Sequence, residues 1–113
     1  MTKKVAIGKR ELSKIPEIRN RRGEVIEFDI HRISNAVYKA FSDTKEGGED
    51  EAIKVAEAVF AELLKMQQLE KVAGVKGAQF VPTVEMIQDT VENELMRLDY
   101  LETAKSYIIY RQK

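Results

Sequence analysis

The residues best suited to chemistry in this chain are arginines gathered around one turn. Arg19, Arg21 and Arg22 precede Gly23, and Arg32 follows a short way into the next segment. A guanidinium group offers planar, paired donors and a permanent charge, so several converging arginines can hold a phosphate chain without a glycine-rich loop. Asp29 and Thr83 stand where helix starts are expected, and the amide donors of such starts add to an anion site. Two plainer readings fit the same spacing. One is a solvated hairpin whose charge serves solubility. The other is a nucleic-acid patch, disfavoured because the charge is confined to one end and lacks interleaved aromatic platforms.

Bond-making chemistry has little to work with. His31 is the single histidine and stands beside Arg32 in a first helical turn, where an exposed side chain is expected. The absence of cysteine removes disulfides, thiolate metal sites and thiol nucleophiles together. No zinc-ligand spacing, Walker-type phosphate loop or dinucleotide glycine fingerprint occurs. The nearest carboxylate pairs, Glu92 with Glu94 and Glu49 through Glu51, read as solvated helix charges. Tyr100, Tyr107 and Tyr110 fit either core aromatics or a base-stacking surface, and the amphipathic context favours the core.

The elements that must position the arginines follow from periodicity and turn chemistry. Segments 17–20 and 24–28 read as short strands, with Val25, Ile26 and Phe28 as β-formers and Gly23 supplying a positive φ between them. A lone hairpin is marginal in water, so it must lie on the helices that follow. Asp29 caps a helix over about 30–41, whose buried face is Ile30, Ile33, Ala36, Val37, Ala40 and Phe41. After a loop over 42–49, a second helix over about 50–69 carries Ile53, Ala56, Val59 or Phe60, Leu63 and Leu64. Segment 70–79, with Gly74 and Gly77, reads as a loop, and 79–81 as a third short strand closed by Pro82. Thr83 caps a third helix to about Arg97 with Met86, Ile87, Val91, Leu95 and Leu98 inward. A last helix over about 100–111 faces the core with Leu101, Ala104, Tyr107 and Ile108.

At 113 residues the chain fits one small domain with a single core. Nineteen basic and nineteen acidic residues cancel, so no general pull toward nucleic acid or membrane is expected. The cancellation hides an asymmetry: Lys3, Lys4, Lys9, Arg10 and Lys14 extend the basic charge to the start, while 46–62 is acidic. Residues 1–15 read as a basic leader or tail, ordered only if it docks, and 16–113 as the domain proper. No apolar run approaches the roughly 20 residues of a membrane span, so a cytoplasmic, soluble domain is expected.

Three blocks together resemble a known family. Segment 18–33 reads as a strand, a basic turn with glycine, a Val-x-x-Phe-Asp run and a helix start, similar to the opening of the ATP-cone. Segment 82–92 is similar to the cone's third helix, and 104–111 to its last. The resemblance implies an α+β, mainly α fold: a four-helix domain capped by a small three-stranded mixed sheet. It implies a nucleotide-binding set of Ile18, Asn20, Arg21, Asp29, Arg32, Thr83 and Lys113. Ile18 stands at a strand valine whose backbone lies near the base, and Arg21 at the arginine of the family's Val-x-Lys-Arg-Asp-Gly turn. Asp29 takes the place of a short polar residue before the first helix, and Arg32 that of a lysine. Thr83 matches a threonine opening the third helix, and Lys113 falls near a basic residue after the last. Asn20 replaces the turn's usual lysine, Arg22 its aspartate, and Ile26 a frequent glutamate, which redistributes the charge of the turn.

The function implied by that resemblance is regulation rather than catalysis. ATP-cones bind ATP or dATP, with Mg expected to accompany the nucleotide, and set the overall activity and oligomeric state of ribonucleotide reductases. The expected partners are a reductase's catalytic or radical-generating subunit and further copies in a nucleotide-dependent homo-oligomer, with no membrane. Two alternatives stand beside it: a cone-containing transcriptional regulator of reductase genes, and a degenerate cone serving as an oligomerisation module. The first normally carries a zinc ribbon ahead of its cone, which a chain without cysteines lacks.

Overall fold

The structure, a computed structural model, describes residues 3–72 and 79–112. In chain order the elements are α1 (Lys9–Leu12), β1 (Glu17–Arg19), β2 (Val25–Glu27), α2 (Ile30–Thr44), α3 (Glu49–Val72), α4 (Val84–Arg97) and α5 (Leu101–Arg111). The four long helices enclose the core: α2 packs on α3 and α5, and α4 bridges α3 and α5.

Helix starts form where the sequence places caps. The Asp29 carboxylate accepts from the His31 amide at 3.0 Å, and the Thr83 hydroxyl from the Met86 amide at 3.1 Å. At the head of α3, Glu51 turns back to accept from the Gly48 amide at 2.7 Å, and Glu49, Asp50 and Glu51 oppose the helix dipole. α2 ends on Lys45 in the left-handed region (φ 64), whose amide reaches the Phe41 carbonyl at 2.7 Å.

The periodic apolar residues fill the interior, with Phe41, Phe60, Leu63, Leu95, Val37 and Val59 almost wholly enclosed. Burial of this kind is worth about 1.5–3 kcal/mol per large side chain and dominates the stability of the bundle. Phe41 meets Tyr100 edge-on at 4.9 Å, tying α2 to the head of α5. Leu98 and Leu101, expected inward, are exposed instead. Asp99 takes φ 70 and the Tyr100 amide bonds the Leu95 carbonyl at 2.8 Å. The chain therefore turns sharply between α4 and α5 and leaves those leucines on the outside of the corner.

Three further departures have physical causes. The sheet is two-stranded among the described residues, not three-stranded. The segment before α4 adds only a parallel bridge from Thr83 to Arg19 and the Pro82 carbonyl, which accepts from the Arg19 amide at 2.9 Å. Proline lacks the N–H that would continue a ladder, and α4 starts two residues later. A fifth helix, α1, occupies one turn of the segment read as a leader; four residues are too few to show a period. α3 continues past residue 69 to Val72, and most of the loop expected over 70–79 lies outside the described residues.

Residues 3–15 dock on the bundle. Ile15 is fully enclosed, and Val5, Ile7 and Leu12 pack against the core. Backbone amides of Lys3 and Ala6 donate to Glu49 and Glu57 of α3 at 2.6 and 2.7 Å, and the Lys3 ammonium pairs with Asp50. His31, expected exposed, is half-buried beneath this strap, with its Nε2 3.5 Å from the Val5 amide. No described helix is long and apolar enough to cross a membrane.

Candidate functional site

β1 and β2 pair antiparallel, with Ile18 opposite Ile26 and Arg19 opposite Val25. Their turn is built by Asn20. Its side-chain oxygen accepts from the Arg22 and Glu24 amides at 3.0 and 2.9 Å, and its amide group donates to the Glu24 carboxylate at 3.1 Å. Gly23 follows with φ 83, a conformation costly for any residue with a Cβ. Arg19 bends back to donate to the Gly23 carbonyl at 2.6 Å. Asn20 and Arg19 thus hold the turn, which leaves Arg21 and Arg22 at its tip.

The hairpin roofs a cleft of about 430 Å³ whose other walls are the start of α2, the first turns of α4 and the end of α5. Phe28 anchors the roof by stacking on Phe60 of α3 at 5.9 Å. Five of the residues expected from sequence come together on this cleft: Ile18, Asn20, Arg21, Asp29 and Arg32. Thr83 lies just outside, its hydroxyl committed to the α4 cap while the neighbouring Val84 lines the wall. Lys113 lies outside the described residues.

The arginines of the cleft differ in what holds them. Arg22 and Arg32 line it with no hydrogen bond or ion pair from their side chains to another described residue. Arg21 crosses to the far wall, where its Nη2 donates to the Arg111 carbonyl at 2.7 Å and to Gln88 at 3.3 Å, with Glu85 3.9 Å from its Nε. Asp29 and Glu27 put carboxylates on the same rim, and one Asp29 oxygen is taken by the helix cap.

Sequence reading placed only the start of α4, at Thr83, and Lys113 beyond α5 in the site, with the tyrosines left open between core and surface; the structure brings side chains of both helices to the cleft. Val84, Ile87 and Gln88 supply one wall, and Tyr107 with Tyr110 another. The tyrosines stand at i and i+3 on α5, their rings 6.1 Å apart and tilted by 37°. That spacing was the available signal, and the two rings part company: Tyr107 is buried in the core, while Tyr110 is exposed at the cleft. Burial pushes the Tyr107 hydroxyl up to about 12, so it stays a neutral donor at physiological pH.

The carboxylates of α4 also differ from expectation. Glu94, read as solvated, is only 4% exposed and is gripped by Arg97 at 2.6 and 3.1 Å. Arg111 binds Asp89 at 2.8 Å and Glu92 at 2.6 Å, locking the end of α5 to α4. No group of three or more histidine or carboxylate residues that could hold a metal occurs among the described residues.

An apolar floor, two tyrosine rings and guanidinium groups at the rim suit a ligand with a flat apolar part and a strongly anionic part. Fold and cleft together define a small, mainly α domain whose β-hairpin roofs a cleft. The chain belongs to the ATP-cone family, whose domain model matches residues 16–113. It is also 36% identical over 104 residues to a vitamin B12-dependent ribonucleoside-diphosphate reductase of Thermoplasma acidophilum. That match takes in 88% of this chain and 12% of the reductase.

Proposed function

We propose that this domain binds ATP or dATP in the hairpin cleft as an allosteric effector of a ribonucleotide reductase. The observation that carries the reading is the pair Arg22 and Arg32, guanidinium groups without a protein partner among the described residues, beside the aromatic wall. Charged donors left open at a cleft rim suit phosphate oxygens, with which they form charge-assisted hydrogen bonds about twice as strong as those between neutral groups. In this reading Arg21, Arg22 and Arg32 hold the triphosphate, and the backbone of Ile18 lies at the base. Tyr110 offers the base its stacking face. Asp29 orders the start of α2, whose amides add to the anion site. Asn20 acts through the turn it builds rather than by direct contact, Thr83 sets the direction of α4, and Lys113 joins the phosphates. Mg accompanies the nucleotide through phosphate oxygens.

The domain then serves as a regulatory part of, or partner to, a cytoplasmic reductase and does no bond-making of its own. Its nucleotide shifts the equilibrium between association states only by its difference in affinity for them, typically about 1–3 kcal/mol. The test is calorimetric titration of ATP and dATP with Mg, with light scattering on the same samples. Binding accompanied by a change of molecular mass supports the reading. Silence for both nucleotides would refute it and leave an oligomerisation module. Tight, salt-sensitive DNA binding would favour the transcriptional regulator.

A further inference from the structure

Resting on that reading of the cleft, we infer that Arg21 couples the cleft to the C-terminal end of α5, because one guanidinium serves both as that helix's cap and as a phosphate donor. The last carbonyls of any helix lack donors from within it, and a cation near them is favoured by the helix dipole. Among the described residues α5 solves this only in part with its own chain, through the Gln112 amide, which reaches the Ile109 carbonyl at 3.3 Å. Its cap residue Gln112 stays in the right-handed region (φ −81), without the left-handed turn that usually ends a helix. Its terminal cation, Arg111, is turned sideways onto Asp89 and Glu92 and is 15% exposed. The Arg111 carbonyl is served instead by Arg21, 90 residues earlier, at 2.7 Å.

That bond is placed to be exchanged. Arg21 lines the cleft, its side chain is 53% exposed, and its remaining partners are a neutral amide at 3.3 Å and a carboxylate no closer than 3.9 Å. A polyphosphate brings several negative oxygens within reach of the same paired donors, against one neutral carbonyl on α5. When Arg21 turns to the phosphates, the Arg111 carbonyl loses its donor and the last turn of α5 frays. Tyr110, in that turn, is a wall of the cleft, so ligand and helix end are read by the same few atoms. Occupancy of the cleft is thereby written onto residues 109–112.

Amide hydrogen exchange on the full chain tests this, with ATP and Mg as one ligand and inorganic tripolyphosphate as a phosphate-only probe. Calorimetry on the same samples fixes saturation. At saturation the amides of residues 109–112 are expected to exchange several-fold faster, while those in the middle of α2 do not. Arg21→Ala should show fast exchange at 109–112 without ligand and no further rise with it. Arg21→Lys, which keeps a charged donor but not the fork, should fall between. Binding with 109–112 unchanged or protected would overturn the coupling and leave the nucleotide reading standing. Calorimetric silence would overturn both. Unchanged ligand-free exchange in Arg21→Ala would remove the cap.

Discussion

Arginines on the two sides of this molecule are held in opposite ways. On the α4–α5 side, Arg97 forks onto Glu94 and Arg111 bridges Asp89 and Glu92 at distances of 2.6–3.1 Å. At the hairpin cleft, Arg22 and Arg32 have no such partner among the described residues, and Arg21 has a carbonyl, a side-chain amide and a carboxylate no closer than 3.9 Å. A charge whose hydrogen bonds are complete within the fold has structural work and little left for a ligand. One left open at a concave rim adds little to stability and is ready for an anion. Charge alone does not separate the two sets, since all are arginines. Their satisfaction does.

The comparison can be broken or sharpened by substitution. Phe60→Ala should have the largest effect, a loss of about 3–5 kcal/mol in urea unfolding, because the ring is 1% exposed. Its stacking on Phe28 also ties the hairpin to α3, so that roof should loosen in the same variant. Arg97→Ala and Arg32→Ala should then part company. The first leaves the 4%-exposed Glu94 without its fork and should lower the urea midpoint with nucleotide affinity unchanged. The second should leave stability within about 0.5 kcal/mol and weaken nucleotide binding roughly 10- to 100-fold by calorimetry. Equal behaviour of the two would end the distinction drawn between them.

Thr83→Ala should cost about 1 kcal/mol through loss of the α4 cap, measurable as a shifted urea midpoint. The smallest effect concerns pH. Glu46, between α2 and α3, accepts from the hydroxyl and amide of Thr103 at 2.6 Å each, and so caps the start of α5 from another segment. The hydrogen bond from the Thr103 side chain holds its carboxyl below the ordinary 4.5, against an opposing effect of burial and with help from the Thr103 and Glu102 amides. A folded pKa below the unfolded one contributes stability above the unfolded value and loses it as pH falls through the folded one. Wild type should therefore lose more stability than Glu46→Gln between about pH 5 and pH 3. Parallel slopes in urea midpoints against pH would show that Glu46 has no such part.

Much of the frame was legible because local rules decide it. The caps at Asp29 and Thr83, the positive φ at Gly23 and the buried stripes of α2 and α3 depend on residues within a few positions of one another. α1 was missed because a single turn carries no period, and the third strand was overread because Val81 is a good β-former, while Pro82 and the start of α4 leave only one bridge to β1. Leu98 and Leu101 were misplaced because periodicity does not say where a corner falls. Half the cleft was visible in the same way: residues 18–32 lie close together in the chain, whereas Gln88 and Tyr110 join them only by packing.

By itself the sequence determined that this chain folds as a mainly α domain with a basic hairpin before its first long helix, since periodicity, capping and turn chemistry act over short range. Only the tertiary structure decided which arginines are committed and which are open. It also gave Asn20 to the turn, and it ended α5 on a cation from the other end of the chain. Those outcomes depend on which polar groups meet across distant segments. Sequence spacing does not encode such meetings, because a charged side chain on the surface of a helix or turn satisfies its local rules equally well with a protein partner, a ligand or water.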